Sequence, residues 1–220
     1  MTGPICRRSA LRLIGVAPLV AAFTLSPREA AAAAEQASRV VKAAARGQAY
    51  TPKFFNPHEW KTVRVLVDMI IPADERSGSA TDAGVPEFMD YLMNDPTDSD
   101  LSREARQNAM RGGLAWINSA CARRFGRSFV ECSEVERTAL LDEIAYSKDE
   151  GEAQRREPTD LPFLVTPGSS FFNSFRDLTA SGFWSSKMGV EDLQYKGNTF
   201  TAEWKGPPPD VLVKLGLTEK

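Results

Sequence analysis

Few residues in this chain have side chains able to carry out chemistry, and their types and spacing limit what that chemistry can be. His58 is the single histidine, so histidine-based metal sites and a Ser-His-Asp triad lack their parts. It sits in Asn56-Pro-His-Glu59, the first turn of an expected helix, where an imidazole is ordinarily solvated. Two carboxylate pairs, Asp142 with Glu143 and Asp82 with Glu87, have the residue types for acid and base work in glycoside hydrolysis. Solvated helix faces and loop charges explain them more simply. Asp68 stands inside an apolar stretch and is expected to cap or pair near its helix end. The glycine fingerprints of dinucleotide and P-loop nucleotide sites do not occur.

The cysteines are Cys6, Cys121 and Cys132. No C-x-x-C-H marks covalent haem, and two cysteines hold no iron–sulfur cluster without help. In an oxidising compartment Cys121 and Cys132, separated by a short connection, read first as a disulfide worth about 3 kcal/mol. Two buried free thiols are the alternative.

The elements that would position these groups are helical. Asn56, Pro57 and Glu59 form an N-cap, a first-turn proline and a capping box. Val63, Leu66, Val67 and Ile70 then recur at helical spacing until Pro72. A short helix is expected over Val85–Met93, and a longer one from a Ser102 cap to about Phe125, with Gly113, Trp116, Ile117 and Ala120 facing inward. Gly112 and Gly113 cost helix propensity, which a close helix crossing would explain. Ser133-Glu-Val-Glu136 opens a further helix to about Lys148, and Phe171–Ala180 resumes the pattern. Past Gly182, Phe183, Trp184, Tyr195, Phe200 and Trp204 are strung among glycines, Asn198 and prolines. No alternating run makes a convincing sheet. The expected fold is all-α, a multi-helix single domain with an irregular, aromatic-rich C-terminal extension.

The N-terminal region differs from this. Arg7 and Arg8 precede a weakly apolar run, Leu11–Leu25, and then alanine-rich sequence, the three regions of a secretory leader in its twin-arginine form. Gly15, Pro18 and several alanines dilute the run, and Arg28 disfavours the general secretory route. The run falls short of the about 20 apolar residues that a membrane span needs. Cleavage is expected within Ala30–Ala34, giving a signal peptide over 1–34, a loosely helical or mobile tether over 35–55 and a helical domain over 56–220. The formal net charge is −2, and losing the leader makes it more negative. An acidic surface without a basic tract suits nucleic acid poorly.

Twin-arginine transport moves folded proteins, commonly because a cofactor or partner was added first. This chain shows no cofactor site of its own, so a partner that carries one resolves the tension. Phe183, Trp184, Tyr195 and Trp204, aromatic side chains on irregular backbone, are candidates for its interface. Their alternative is packing over the domain's own helices.

These residues also carry a resemblance. Asp68-Met-Ile-Ile-Pro72, Ala83-Gly-Val-Pro-Glu-Phe-Met-Asp90, Gly113 before Trp116, and Phe125-Gly126 with Phe129 are similar to marks of the gluconate 2-dehydrogenase subunit 3 family. So are Phe171-Phe172, Arg176-Asp-Leu-Thr179, Ser181-Gly-Phe-Trp-Ser185, Gly189, Tyr195-x-Gly197-Asn198 and Trp204-x-Gly206-Pro207. The loop after Pro72 departs from the family's frequent Pro-Gly-Ala, having Ser77-Gly-Ser-Ala80. The resemblance implies an all-helical small subunit without a redox centre, with no catalytic, cofactor-binding or metal residues of its own. Its implied partners are an FAD-bearing large subunit of the glucose-methanol-choline type and a multihaem cytochrome c subunit. It further implies that the leader carries the flavoprotein through the twin-arginine translocase to the periplasm, where the complex meets the inner membrane through its other chains. A transient assembly chaperone and a free-standing periplasmic enzyme using a carboxylate pair are the rival readings.

Overall fold

Serine, asparagine and proline mark the helix starts in this chain, and the local hydrogen bonds show why. A computed structural model describes residues 23, 25–145, 167–194, 206, 207, 209–214 and 216. Helix α1 (Pro27–Ala44) opens at Ser26, whose hydroxyl accepts the Glu29 N–H at 3.3 Å while the Glu29 carboxylate accepts the Ser26 N–H at 2.8 Å. Helix α2 (Pro57–Ile70) opens the same way at Asn56, which accepts from His58 and Glu59. Each box satisfies donors that the first helical turn leaves unpaired. Helix α3 (Val85–Met93) follows Gly84 at φ +83°, where a Cβ would also lie 2.7 Å from Val41 Cγ2. Both facts require glycine.

Helix α4 (Asp100–Phe125) is capped by Ser99, and α5 (Glu134–Ala145) follows the Ser133–Glu136 box. Then come α6 (Pro167–Trp184), α7 (Lys187–Asp192) and α8 (Pro209–Lys214). There is no strand among the described residues, so the all-α expectation holds. No helix among them is long and apolar enough to cross a membrane.

Three expectations need adjusting. Of the stretch expected as a loosely helical or mobile tether, the part to Ala44 is helical and belongs to a capped helix that packs on α3. Alanine supplies no visible apolar stripe, yet Ala33 and Ala37 bury fully or nearly so because a small side chain lets the helices approach. Helix α4 begins at Asp100, with Ser102 in its first turn rather than at its cap. Helix α6 extends past both ends of Phe171–Ala180, and α7 forms where the pattern lapses, because the Ser186 hydroxyl accepts the Gly189 N–H.

Helix α6 is the element the others share, touching α1, α2, α3, α4, α5 and α7. Its Phe171, Phe172, Phe175, Leu178 and Phe183 are all buried, and its buried Thr179 hydroxyl donates to the Phe175 carbonyl at 2.8 Å. Crossing α4 this closely depends on Gly113, where a Cβ would overlap the Phe171 ring. Gly112, one residue earlier, faces open space, so the close crossing accounts for one glycine of the pair. A second tie is ionic. Arg106 of α4, buried, pairs with Glu29 at 3.1 Å and Asp98 at 3.5 Å and donates to the Leu92 carbonyl. It joins the start of α1 to the end of α3 and the turn after it.

Gly113→Ala should therefore lower unfolding stability by about 1–3 kcal/mol through overpacking. Gly112→Ala should be neutral or stabilising by up to about 1 kcal/mol. Denaturant midpoints of the two variants check this, and equal effects would contradict the crossing.

Candidate docking surface and the residues that support it

Asp90 lies on α3 with no solvent exposure. One of its oxygens accepts the Tyr50 hydroxyl at 2.6 Å and the Lys53 N–H at 2.9 Å; the other accepts the N–H groups of Phe54 at 2.9 Å and Phe55 at 3.3 Å. Four donors replace the water that a buried carboxylate gives up. The result pins the segment between α1 and α2, seats Phe54 and Phe55 in the core, and delivers Asn56 to its cap. Arg111 adds a guanidinium over the Phe54 ring, 4.4 Å from its centre, and donates to the Phe54 carbonyl. Burial, and then the bond to Asp90, raise the pKa of the Tyr50 phenol well above its ordinary range.

This pinned segment forms one wall of a cleft of about 510 Å³, lined also by Val40 and Val41 of α1, Trp60 and Arg64 of α2, and Asp82 and Glu87. The Tyr50 and Trp60 rings lean together at 5.7 Å. Within it Glu87 holds Oε2 buried and without a hydrogen-bond partner. Burial raises the Glu87 pKa, against its own backbone N–H and the charge of Arg64, which lower it. A carboxylate so placed takes up a proton more readily than a free one.

The other candidate carboxylates are accounted for locally. Asp142 and Glu143 are exposed on α5, and Glu143 pairs with Arg124. Asp82 accepts the Ser79 N–H at 3.0 Å, and Asp68 accepts the Thr81 N–H at 2.8 Å, holding the loop after α2 to that helix. His58 is exposed at the start of α2. Among the described residues no three His, Cys, Asp or Glu side chains gather as a metal would require.

Cys121 and Cys132 are not a disulfide: both are buried free thiols. Their spacing predicts proximity, and they do meet, since burial and then a hydrogen bond to Cys132 push the Cys121 thiol up to about 12. A short connection brings two side chains together without fixing a covalent bond between them.

The aromatic candidates divide. Phe183 is 1 % exposed, part of the core beneath α6 and α7 rather than an interface residue. Its neighbour Trp184 meets it edge to face at 4.9 Å and stays 39 % exposed. Val190 and Leu193, on and just after α7, are exposed as well. Tyr195, Trp204, Arg7 and Arg8 lie outside the described residues.

A family model described as gluconate 2-dehydrogenase subunit 3 matches residues 57–202, about two thirds of the chain. The chain belongs to the gluconate 2-dehydrogenase subunit 3 family. Neither a curated protein nor a solved structure matches it. A subunit of this family works in a gluconate dehydrogenase complex, so its surface has other chains to meet. The family match takes in α2 to α7 and with them Asp90, Glu87 and Trp184; α1 precedes it.

The sequence alone does not single out Asp90, whose donors lie 35 to 40 positions away, and it presents Glu87 only as half of an acidic pair with Asp82. The local signal is a carboxylate set inside the apolar run Phe88-Met-Asp-Tyr-Leu92 of a short helix. Asp90→Asn turns an amide N–H₂ toward donors and should cost about 2–4 kcal/mol, read from denaturant unfolding. Glu87→Gln should do the opposite at neutral pH. Because burial raises the folded-state pKa of Glu87, its charge opposes folding once pH rises above the unfolded value of about 4.3. The variant's thermal midpoint should exceed that of the unaltered protein at pH 7, and the difference should vanish below about pH 4.

Proposed function

We propose that this subunit is a non-catalytic chain of a periplasmic, flavin-dependent sugar or sugar-acid dehydrogenase. It binds the folded, FAD-loaded flavoprotein of the glucose-methanol-choline type in the cytoplasm, and its twin-arginine leader takes the pair across the membrane. It then stays bound as a stabilising part of the complex, which passes electrons through a multihaem cytochrome c subunit at the inner membrane. Membership of the subunit 3 family over residues 57–202 carries the reading. Arg7 and Arg8, set directly before an apolar run and small residues, support the route. Trp184, Val190 and Leu193 offer the flavoprotein an apolar surface of the kind enriched in interfaces. FAD and haem belong to the partners in this scheme.

Replacing Arg7 and Arg8 together by Lys should leave the complex assembled and its dehydrogenase activity in the cytoplasm; activity that still reaches the periplasm would defeat the export role. Gentle purification through a tag at Lys220 should bring down a flavin-bearing large chain in near-equal amount, with haem bands if the cytochrome stays attached. A colourless protein purified alone, from cells that make the flavoprotein, would defeat the subunit role.

A further inference from the structure

The family match begins at Pro57, but the folded unit begins earlier. Ser26 and Glu29 close their capping box, and Glu29 reaches across to Arg106, whose side chain is only 5 % exposed. Ala33 is fully buried on the inner face of α1, and Ala37 nearly so. One turn beyond Ala37, Val41 Cγ2 fills the space that glycine leaves at position 84. Phe23 and Leu25, ahead of the helix, also pack on the core.

This arrangement conflicts with a cut in the small-residue run Ala30–Ala34. A peptidase takes its substrate as an extended strand, and those residues are interior helix whose backbone groups are already paired, so cleavage there requires α1 to unwind first. On the proposed route the order of events is unfavourable to that, because a chain carried by the twin-arginine system folds before its leader meets a peptidase. A cut would also strip the Ser26 cap and remove one of the two carboxylates that face the buried Arg106 guanidinium, leaving Asp98 at 3.5 Å to balance it.

We infer that leader processing leaves Ser26–Ala34 in place: the working subunit starts at or before Ser26, and the alanine run is a packing face rather than a cleavage site. The inference deepens the export reading above and rests on it for the order of folding and cleavage, though not for the packing of α1.

The test uses the full chain, co-expressed with its flavoprotein and tagged at Lys220. N-terminal sequencing and intact mass of the protein recovered from the periplasm should give a first residue at or before Ser26. A first residue anywhere after Ser26 overturns the inference. Recovery from the cytoplasm with Met1 still present would count against the export reading while keeping α1 in the working protein, as inferred. A second measurement asks whether Glu29 is still there. Glu29→Gln, introduced in the full chain, should lower the thermal midpoint of the recovered protein by about 5 °C or more. Glu35→Gln, which loses only the exposed pair with Arg39, should leave it within about 2 °C. An unchanged midpoint for Glu29→Gln means that the residue was removed or does no work, and overturns the inference.

Discussion

A single buried carboxylate holds the helical part of this molecule in register. Asp90 has no side-chain cation among its hydrogen-bond partners; three backbone N–H groups and a phenol supply its bonds. Because the donors come from one short segment, the bonds convert an otherwise unstructured connection into a fixed bracket between α1 and α2. Everything near it inherits that geometry. The aromatic wall of the cleft, the seat of Phe54 beneath Arg111, and the entry angle of α2 all follow from where the bracket sits. Uncharged donors suit this task, since they satisfy the carboxylate without importing a second buried charge.

Helix α6 plays the complementary part. Where Asp90 fixes a connection, α6 fixes the packing, and its contact with α4 depends on the absence of a side chain at Gly113. Two kinds of constraint therefore cooperate: one directional and polar, the other steric and apolar. The Arg106 cluster joins them by tying the start of α1 to α3 and α4.

Local physics in this chain is legible because it is carried by neighbouring residues. The Asn56 and Ser133 boxes and the apolar spacing of α2 announce themselves within a few positions, and the Gly112-Gly113 pair signals a close crossing without showing which glycine makes it. What was not legible depends on distant partners. Alanine in α1 carries no sign that a helix face is buried, because a small apolar residue is equally at home in a leader, a tether or a packed interface. Asp90 and its donors are 35 to 40 positions apart, and no local pattern shows such a pairing. Phe183 and Trp184 are adjacent and aromatic, yet consecutive helical positions point in different directions, so one enters the core and the other meets solvent. Cys121 and Cys132 show the limit of spacing arguments most directly, since nearness followed from the sequence and bonding did not.

Those two thiols also give the molecule an internal clock. Each is enclosed in the core, and burial raises the pKa of Cys121, so alkylating reagents reach neither thiol while the helices remain packed. Modification must wait for the end of α4 to part from the turn that leads into α5. The rate at which a thiol reagent is consumed thus reports how often that seam opens.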